Sequence, residues 1–327
     1  MPRAASHPSR RRWLAAAAAG AWLQVGCATL IPPPQTAALR DAPPEGLPVR
    51  VERTEVPFFP QTPYHCGPAA LATVLKHAGI DVTPEQLGDA VFLPAREGSL
   101  QTEMLAGARR SGAVAVRLPK ELSAVLREVA AGHPVVILQN LGLAVLTRWH
   151  YAVVVGYDLG RGEIILRSGT IEREVMSLGT FEHTWKRGDY WAFAALAPGQ
   201  LPATAEEREA VQATIAFERV APPALAVRGY EAAAARWPQS LVVGIGLGNA
   251  RFNAGDTAGA ATAFEAVARL HDSAAAWNNL AQARLKLGQR AAALEAAQRA
   301  VTRAEASETQ WVDEARSTLR QALARAP

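Results

Sequence analysis

The sequence predicts an α+β domain, with helices packed on an antiparallel sheet, followed by an all-α domain of helical repeats. Two observations carry this reading. Between residues 49 and 200 helical patterning comes first and strand patterning after it, the order of an α+β domain and not of alternating βαβ units. Beyond Pro202 the composition turns to Ala, Glu, Arg and Gln at helical spacing, and landmarks return at a fixed period. Tyr230 and Phe264 lie 34 apart, Gly255 and Gly288 lie 33 apart. Four segments follow: 1–27, an export signal ending in Cys27; 28–48, a Pro-rich tether; 49–200, the α+β domain; and 201–327, the helical repeats.

The first segment is read from its charge and its length. Arg10, Arg11 and Arg12 precede an apolar run from Trp13 to Gly26. That run is too short to span a bilayer, which takes ~20 residues, and has the anatomy of a secretory signal. Its end, Leu23-Gln24-Val25-Gly26-Cys27, resembles a lipoprotein signal whose cysteine is lipidated, although the Leu such signals place three before the cysteine stands one position early. Ordinary cleavage near Ala28 is the alternative. Ser9-Arg10-Arg11-Arg12-Trp13-Leu14 also resembles a twin-arginine signal, and a generic basic leader explains it equally. The expected location is the periplasmic side of the cell envelope, with a lipid anchor at Cys27.

Charge excludes one class of partner. The chain holds 34 Lys and Arg against 30 Asp and Glu. Residues 1–26 contain four arginines and no acid, so the remainder carries 30 of each, and no basic stripe with interleaved aromatics points to nucleic acid. The two cysteines, Cys27 and Cys66, form no Cys-x-x-Cys pair, so neither a zinc site nor any other metal or cofactor is implied. With Cys27 lipidated or removed, Cys66 has no partner. An unpaired thiol in an oxidising compartment is either a buried, inert side chain or a reactive one.

Within the α+β domain, Val49, Val51 and Arg53 begin a short strand, and residues 57–65 form a loop. Cys66 to Ala78 reads as a helix with Pro68 in its first turn and Gly79 as its stop. Thr83-Pro84-Glu85-Gln86 is a capping box opening the next helix, and Ser99 is expected to cap another ending at Gly112. Leu122, Val125, Leu126 and Val129 share one face of a helix over residues 121–131. Strands are then expected at 134–138, 150–157, 163–166, 172–176 and 190–196. The repeat period places helix pairs at 207–240, 241–273 and 274–307, with a capping helix at 308–325. Leu247, Gly248, Gly255, Ala260 and Phe264, then Trp277, Leu280, Ala281, Gly288 and Ala297, resemble the tetratricopeptide repeat; an irregular Ala-rich bundle is the alternative. A concave repeat surface would hold a protein partner.

The chemistry is read from Cys66 and His150. Thiol hydrolysis needs a thiolate, and a helix start lowers a thiol pKa through unpaired amides and the helix dipole. Cys66 stands before Gly67 and Pro68 at such a start; Gly67 is expected to let the backbone approach a substrate carbonyl. The base must titrate near neutrality, which favours histidine. Of seven histidines, His7 lies in the signal, His271 in the repeats, His65 beside Cys66, His77 and His133 at helix ends, and His183 in a polar stretch. His150 opens the most apolar strand, Tyr151-Ala152-Val153-Val154-Val155-Gly156-Tyr157, where a ring is held firmly at the sheet's edge. Gln61 could supply a side-chain amide to an oxyanion.

Val56-Pro57-Phe58-Phe59-Pro60-Gln61, Cys66-Gly67-Pro68-Ala69-Ala70-Leu71 and His150 to Asp158 together resemble the bacteriocin-processing (double-glycine) peptidase family of papain-like fold, over about residues 50–198. The resemblance implies a cysteine peptidase acting on a peptide or protein, with Cys66 as nucleophile, His150 as base and acid, and Gln61 in the oxyanion hole. It departs at the third member, where the family has Asp followed by Pro. Here Ile164-Ile165-Leu166-Arg167-Ser168-Gly169 has neither, so Ser168 occupies that position, with Asp158 as an alternative orienter. A catalytically silent binding module, or an amidase or acyltransferase on cell-wall peptides, are the competing expectations.

Overall fold

The computed structural model describes residues 32–61, 65–143 and 145–324. The signal segment, Cys27 and His7 lie outside the described residues. Seven strands form one antiparallel sheet: β1 (Arg50–Glu52), β2 (Val114–Arg117), β3 (Val135–Asn140), β4 (Trp149–Asp158), β5 (Glu163–Ser168), β6 (Ile171–Ser177) and β7 (Ala192–Leu196). Their order is β2-β7-β3-β4-β5-β6, and β1 pairs with the far end of β4. β4 is the axis of the sheet. Residues 149–154 pair with β3 and residues 156–158 with β1 on one edge, while β5 runs along the other. Gly156 permits the crossover, because a Cβ there would stand 2.7 Å from the Val51 carbonyl oxygen.

Alternation along β4 divides two cores. Tyr151, Val153 and Val155 face a layer made by α2 (Cys66–His77), α3 (Pro84–Val91) and α4 (Gln101–Arg110). Ala152 and Val154 face the opposite layer, which holds α5 (Leu122–Ala130) and α6 (Leu178–Lys186). The capping box of α3 forms as read: Thr83 accepts from the Gln86 amide and the Gln86 side chain accepts from Thr83. Ser99 does not cap α4. Leu100 holds the N-cap position, and the Ser99 hydroxyl is buried with no hydrogen-bond partner among the described residues.

Residues 34–41 correct the expectation of an extended tether. They form α1 (Pro34–Asp41), clamped by the buried carboxylate of Glu182 on α6. Glu182 accepts from the Gln35 amide at 3.0 Å and from both the amide and hydroxyl of Thr36 at 2.6 Å. A second buried carboxylate, Glu128 on α5, holds the chain where it leaves the sheet. It accepts from Ala203 N at 3.0 Å, from Thr204 N and Oγ1 at 2.6 Å, and from the His133 ring at 2.8 Å. Burial pushes the Glu128 carboxyl up, but these donors outweigh it and hold the group below the ordinary value.

The C-terminal region is helical throughout, in antiparallel pairs: α7 (Glu207–Glu218) with α8 (Pro223–Arg236), α9 (Leu241–Asn253) with α10 (Thr257–His271), α11 (Ala274–Lys286) with α12 (Arg290–Ser307), then α13 (Val312–Ala324). Glycines seat the repeated aromatics: a Cβ at Gly246 would stand 2.2 Å from the Tyr230 ring, and one at Gly248 2.3 Å from the Phe264 ring. Ala297, where the repeat usually has a large aromatic, is fully buried in an Ala-lined seam beneath Trp277 and Leu280. α7 is shared between the two regions, because Ala210, Ala213 and Phe217 pack on Val114 and Val116 of β2.

Candidate active site

β4 and β5 part at one end, and the candidate residues gather in the notch between them. The ladder stops at Val153 and Arg167, and β5 turns away through Ser168 and Gly169, whose φ of 58° lies in the left-handed region. Main-chain groups of β4 before this point lose their β5 partners and must find others. The N–H of Tyr151 points at the Cys66 sulfur, and its C=O accepts from Gln61 Nε2 at 3.3 Å. The main-chain N–H of Gln61 in turn donates to the Gly169 carbonyl at 2.9 Å. One residue earlier, His150 Nε2 shares a hydrogen bond of 2.9 Å with Ser168 Oγ. Cys66, Gln61, His150 and Ser168 are thus tied to two consecutive residues of β4, whose Cα atoms are ~3.8 Å apart. Cys66 approaches from the α2 layer. His150, by alternation with Ala152 and Val154, lies on the α5–α6 face, so the group is assembled at the rim of the sheet.

Cys66 is the first residue of α2, and its predecessor His65 stacks on Phe92 with ring centroids 4.8 Å apart. Burial pushes the Cys66 thiol up, against the pull of the Tyr151, Gly67 and Cys66 amides. The amides act in the sense expected of a helix start, but the expectation of a depressed thiol pKa is corrected: desolvation of a half-buried sulfur wins. Burial holds His150 below its ordinary value, with Arg148 adding to the effect and Glu174 opposing it.

Gly67 also makes a contact that its sequence does not suggest. A Cβ there would stand 2.4 Å from Ser99 Oγ and 2.7 Å from Ser99 Cβ, so the glycine lets α2 press against the segment leading into α4. Asp158 does not reach His150. It lies eight residues along β4, ~26 Å away at the rise of an extended strand, and its Oδ1 accepts from Arg161 N at 3.0 Å. Three other described histidines are engaged elsewhere: His77 with the Gly132 carbonyl, His133 with Glu128, and His271 with the Gln239 carbonyl.

Three neighbours escaped the sequence reading. Tyr151, quoted only as an apolar strand residue, supplies the amide at the sulfur, and its hydroxyl donates to the Ser99 carbonyl at 3.1 Å. Ser99 lines the other side of the α2 start. Glu174, half-buried on β6, is the carboxylate whose charge acts on His150. A strand was expected at 172–176, but nothing local tied Glu174 to His150.

Residues 53–190 match the Peptidase_C39 like family. No curated protein matches the chain. Among solved structures, one described as a C39-like peptidase from Bacillus anthracis is 20% identical, with a TM-score of 0.38, covering 45% of this chain and 97% of that one. A double glycine motif protease from an AMS/PCAT transporter, solved with its leader peptide, is 20% identical at a TM-score of 0.33, covering 44% and 94%. MamA is 18% identical at a TM-score of 0.29, covering 36% of this chain and 77% of its own. The C39-like segment spans α2, His150 and Ser168, and ends just before β7. Among the described residues no three His, Cys, Asp or Glu side chains converge as metal ligands, and no helix is long and apolar enough to cross a membrane.

Proposed function

We propose that the chain is a cysteine peptidase of the cell envelope in which Cys66 attacks the scissile carbonyl and His150 carries the proton. The observation that carries this reading is the pairing of His150 Nε2 with Ser168 while the amide of the adjacent residue faces the Cys66 sulfur. With Nε2 occupied, Nδ1 is the nitrogen left to take the thiol proton. The sulfur then adds to the carbonyl carbon, and the oxyanion is met by the Cys66 amide and the second N–H of the Gln61 carboxamide, whose first N–H is spent on Tyr151. The imidazolium gives its proton to the leaving amine. Water, deprotonated by the imidazole, cleaves the thioester and restores the thiol. Ser168 holds the ring in one tautomer but adds no charge, so turnover is slower than a carboxylate would give. The reading extends to an N-terminal anchor, lipidated at Cys27 or lost by cleavage near Ala28, and to helical repeats that hold a protein partner or present substrate.

The raised thiol and lowered imidazole favour one second reading, a peptidase fold with little activity that serves as a binding module. An activity-directed thiol probe, with mass spectrometry of peptides digested by wild type, Cys66→Ala and His150→Ala, separates the two. The peptidase reading expects labelling and cleavage that both variants lose. Cleavage that survives Cys66→Ala, or its absence in wild type, rejects it.

A further inference from the structure

The hairpin that leads into His150 presents bulky apolar side chains to solvent. Leu143, Val145, Leu146 and Trp149 fall within seven residues, and the tip is the most exposed part, Val145 at 87% and Leu146 at 74%. Such clustering on an unpartnered surface marks an interaction site. The hairpin is also braced from within. The buried Asn140 accepts through Oδ1 from Gly142 N and Arg148 N, both at 2.9 Å, Leu143 N donates to the Leu146 carbonyl at 3.0 Å, and Arg187 donates to the Gly142 carbonyl. The described residues on either side of the tip are thus fixed by polar contacts while the side chains of Leu143, Val145 and Leu146 face outward.

We propose that this hairpin is a membrane-contacting wedge that seats the active site against a lipid bilayer. Val145 and Leu146 stand almost free in solvent and are not the walls of a groove, an exposure that suits insertion into a fluid apolar phase. Trp149 and the exposed Arg148 stand at its base, and Arg187 joins them from the end of α6; an indole and cations at that level fit the headgroup region and its anionic lipids. The path of the N-terminal segment gives the second argument. Pro33 lies against Gly179 and Thr36 against Glu182, so the chain arrives along α6, the helix whose end holds the hairpin through Arg187. Gly179 and Arg187 are eight residues apart on that helix, ~12 Å. Cys27 is six residues before Pro33, a reach of up to ~21 Å. An anchor at Cys27 and the hairpin tip can therefore rest on one surface.

This inference rests on the envelope reading, and the experiment separates their failures. The full chain, as wild type and Trp149→Phe, is mixed with vesicles of phosphatidylethanolamine and a minority of phosphatidylglycerol, with and without brominated acyl chains. Retention on vesicles tests the envelope reading; loss of quenchable tryptophan emission in Trp149→Phe tests the wedge. A second variant, Val145→Asp with Leu146→Asp, is made in a chain that begins at residue 28, without the apolar run and Cys27. It should be retained at least about tenfold less than the same chain with Val145 and Leu146 intact, the factor that one buried Leu side chain supplies. Its turnover of a small soluble peptide should not change. A chain retained on vesicles whose quenching is the same with and without Trp149 overturns the wedge and spares the envelope reading. No retention removes both. A Trp149 response to a soluble apolar peptide but not to vesicles also overturns the wedge and makes the hairpin a substrate contact.

Discussion

Replacing Ser168 by Asp restores a charge where this chain has a hydroxyl, at a position 2.9 Å from His150 Nε2 and almost wholly buried. A carboxylate and an imidazolium ~4 Å apart attract by about 4 kcal/mol at an effective dielectric of 20. Desolvation of the new carboxylate consumes part of that, and opposite charges at such sites shift pKa values by ~1–3 units. Taking ~1.5 units, at 1.36 kcal/mol each, the imidazolium becomes about 30-fold easier to form, and the thiolate–imidazolium pair gains by the same factor. The assay is the rate of Cys66 alkylation by iodoacetamide across pH. In wild type the rate should climb only on the alkaline side of the ordinary thiol range, because burial holds the thiol up. In Ser168→Asp a plateau should appear near neutrality, about tenfold or more above wild type at pH ~7. Ser168→Ala, which leaves Nε2 without its partner, should lose ~1–2 kcal/mol of stability and gain no plateau. Superimposable profiles for wild type and Ser168→Asp would refute the coupling between Ser168, His150 and Cys66.

Further outcomes follow from the packing. Gly67→Ala forces a Cβ onto Ser99 and should cost ~1–3 kcal/mol by thermal melting, with much of it recovered in Gly67→Ala/Ser99→Gly; a neutral substitution would remove the assigned contact. Glu128 is held below the ordinary carboxylate value, so its contribution is present above the unfolded pKa of ~4.3 and is lost as pH falls through the folded one. The acid limb of the melting curve should accordingly be steeper in wild type than in Glu128→Gln, and parallel limbs would count against the clamp. Truncation after Leu201 strips α7 from Val114 and Val116 and should melt well below truncation after Val220, whereas equal melting would show that α7 belongs only to the repeats.

Much of this molecule was legible where side-chain period and local chemistry agree. The Thr83–Gln86 cap, the apolar run of β4 and the 33–34-residue return of Tyr230 and Phe264 are short-range signals, and the elements stand where they put them. What escaped is set by distant partners. α1 is helical because Glu182, some 146 residues away, receives its first amides, and a Pro-rich stretch carries no sign of that. β2 is four residues long and almost wholly buried, so it lacks the alternation that betrays a strand. At the site, a helix start argued for a depressed thiol pKa, yet the degree of burial that reverses the direction belongs to the packed layer and not to the motif. Asp158 and Ser168 were both open as partners of His150, and strand register separated them.

The covalent step offers the most direct test of the account. Intact-mass analysis of the full chain during turnover of a slowly hydrolysed peptide ester should reveal an acyl group on Cys66, absent in Cys66→Ala. Its formation at neutral pH should slow at least about tenfold in His150→Ala, the low end of what a positioned acid–base group contributes. An adduct on another residue, or one that forms equally fast without His150, would contradict the assignment of sulfur and imidazole to a single reaction.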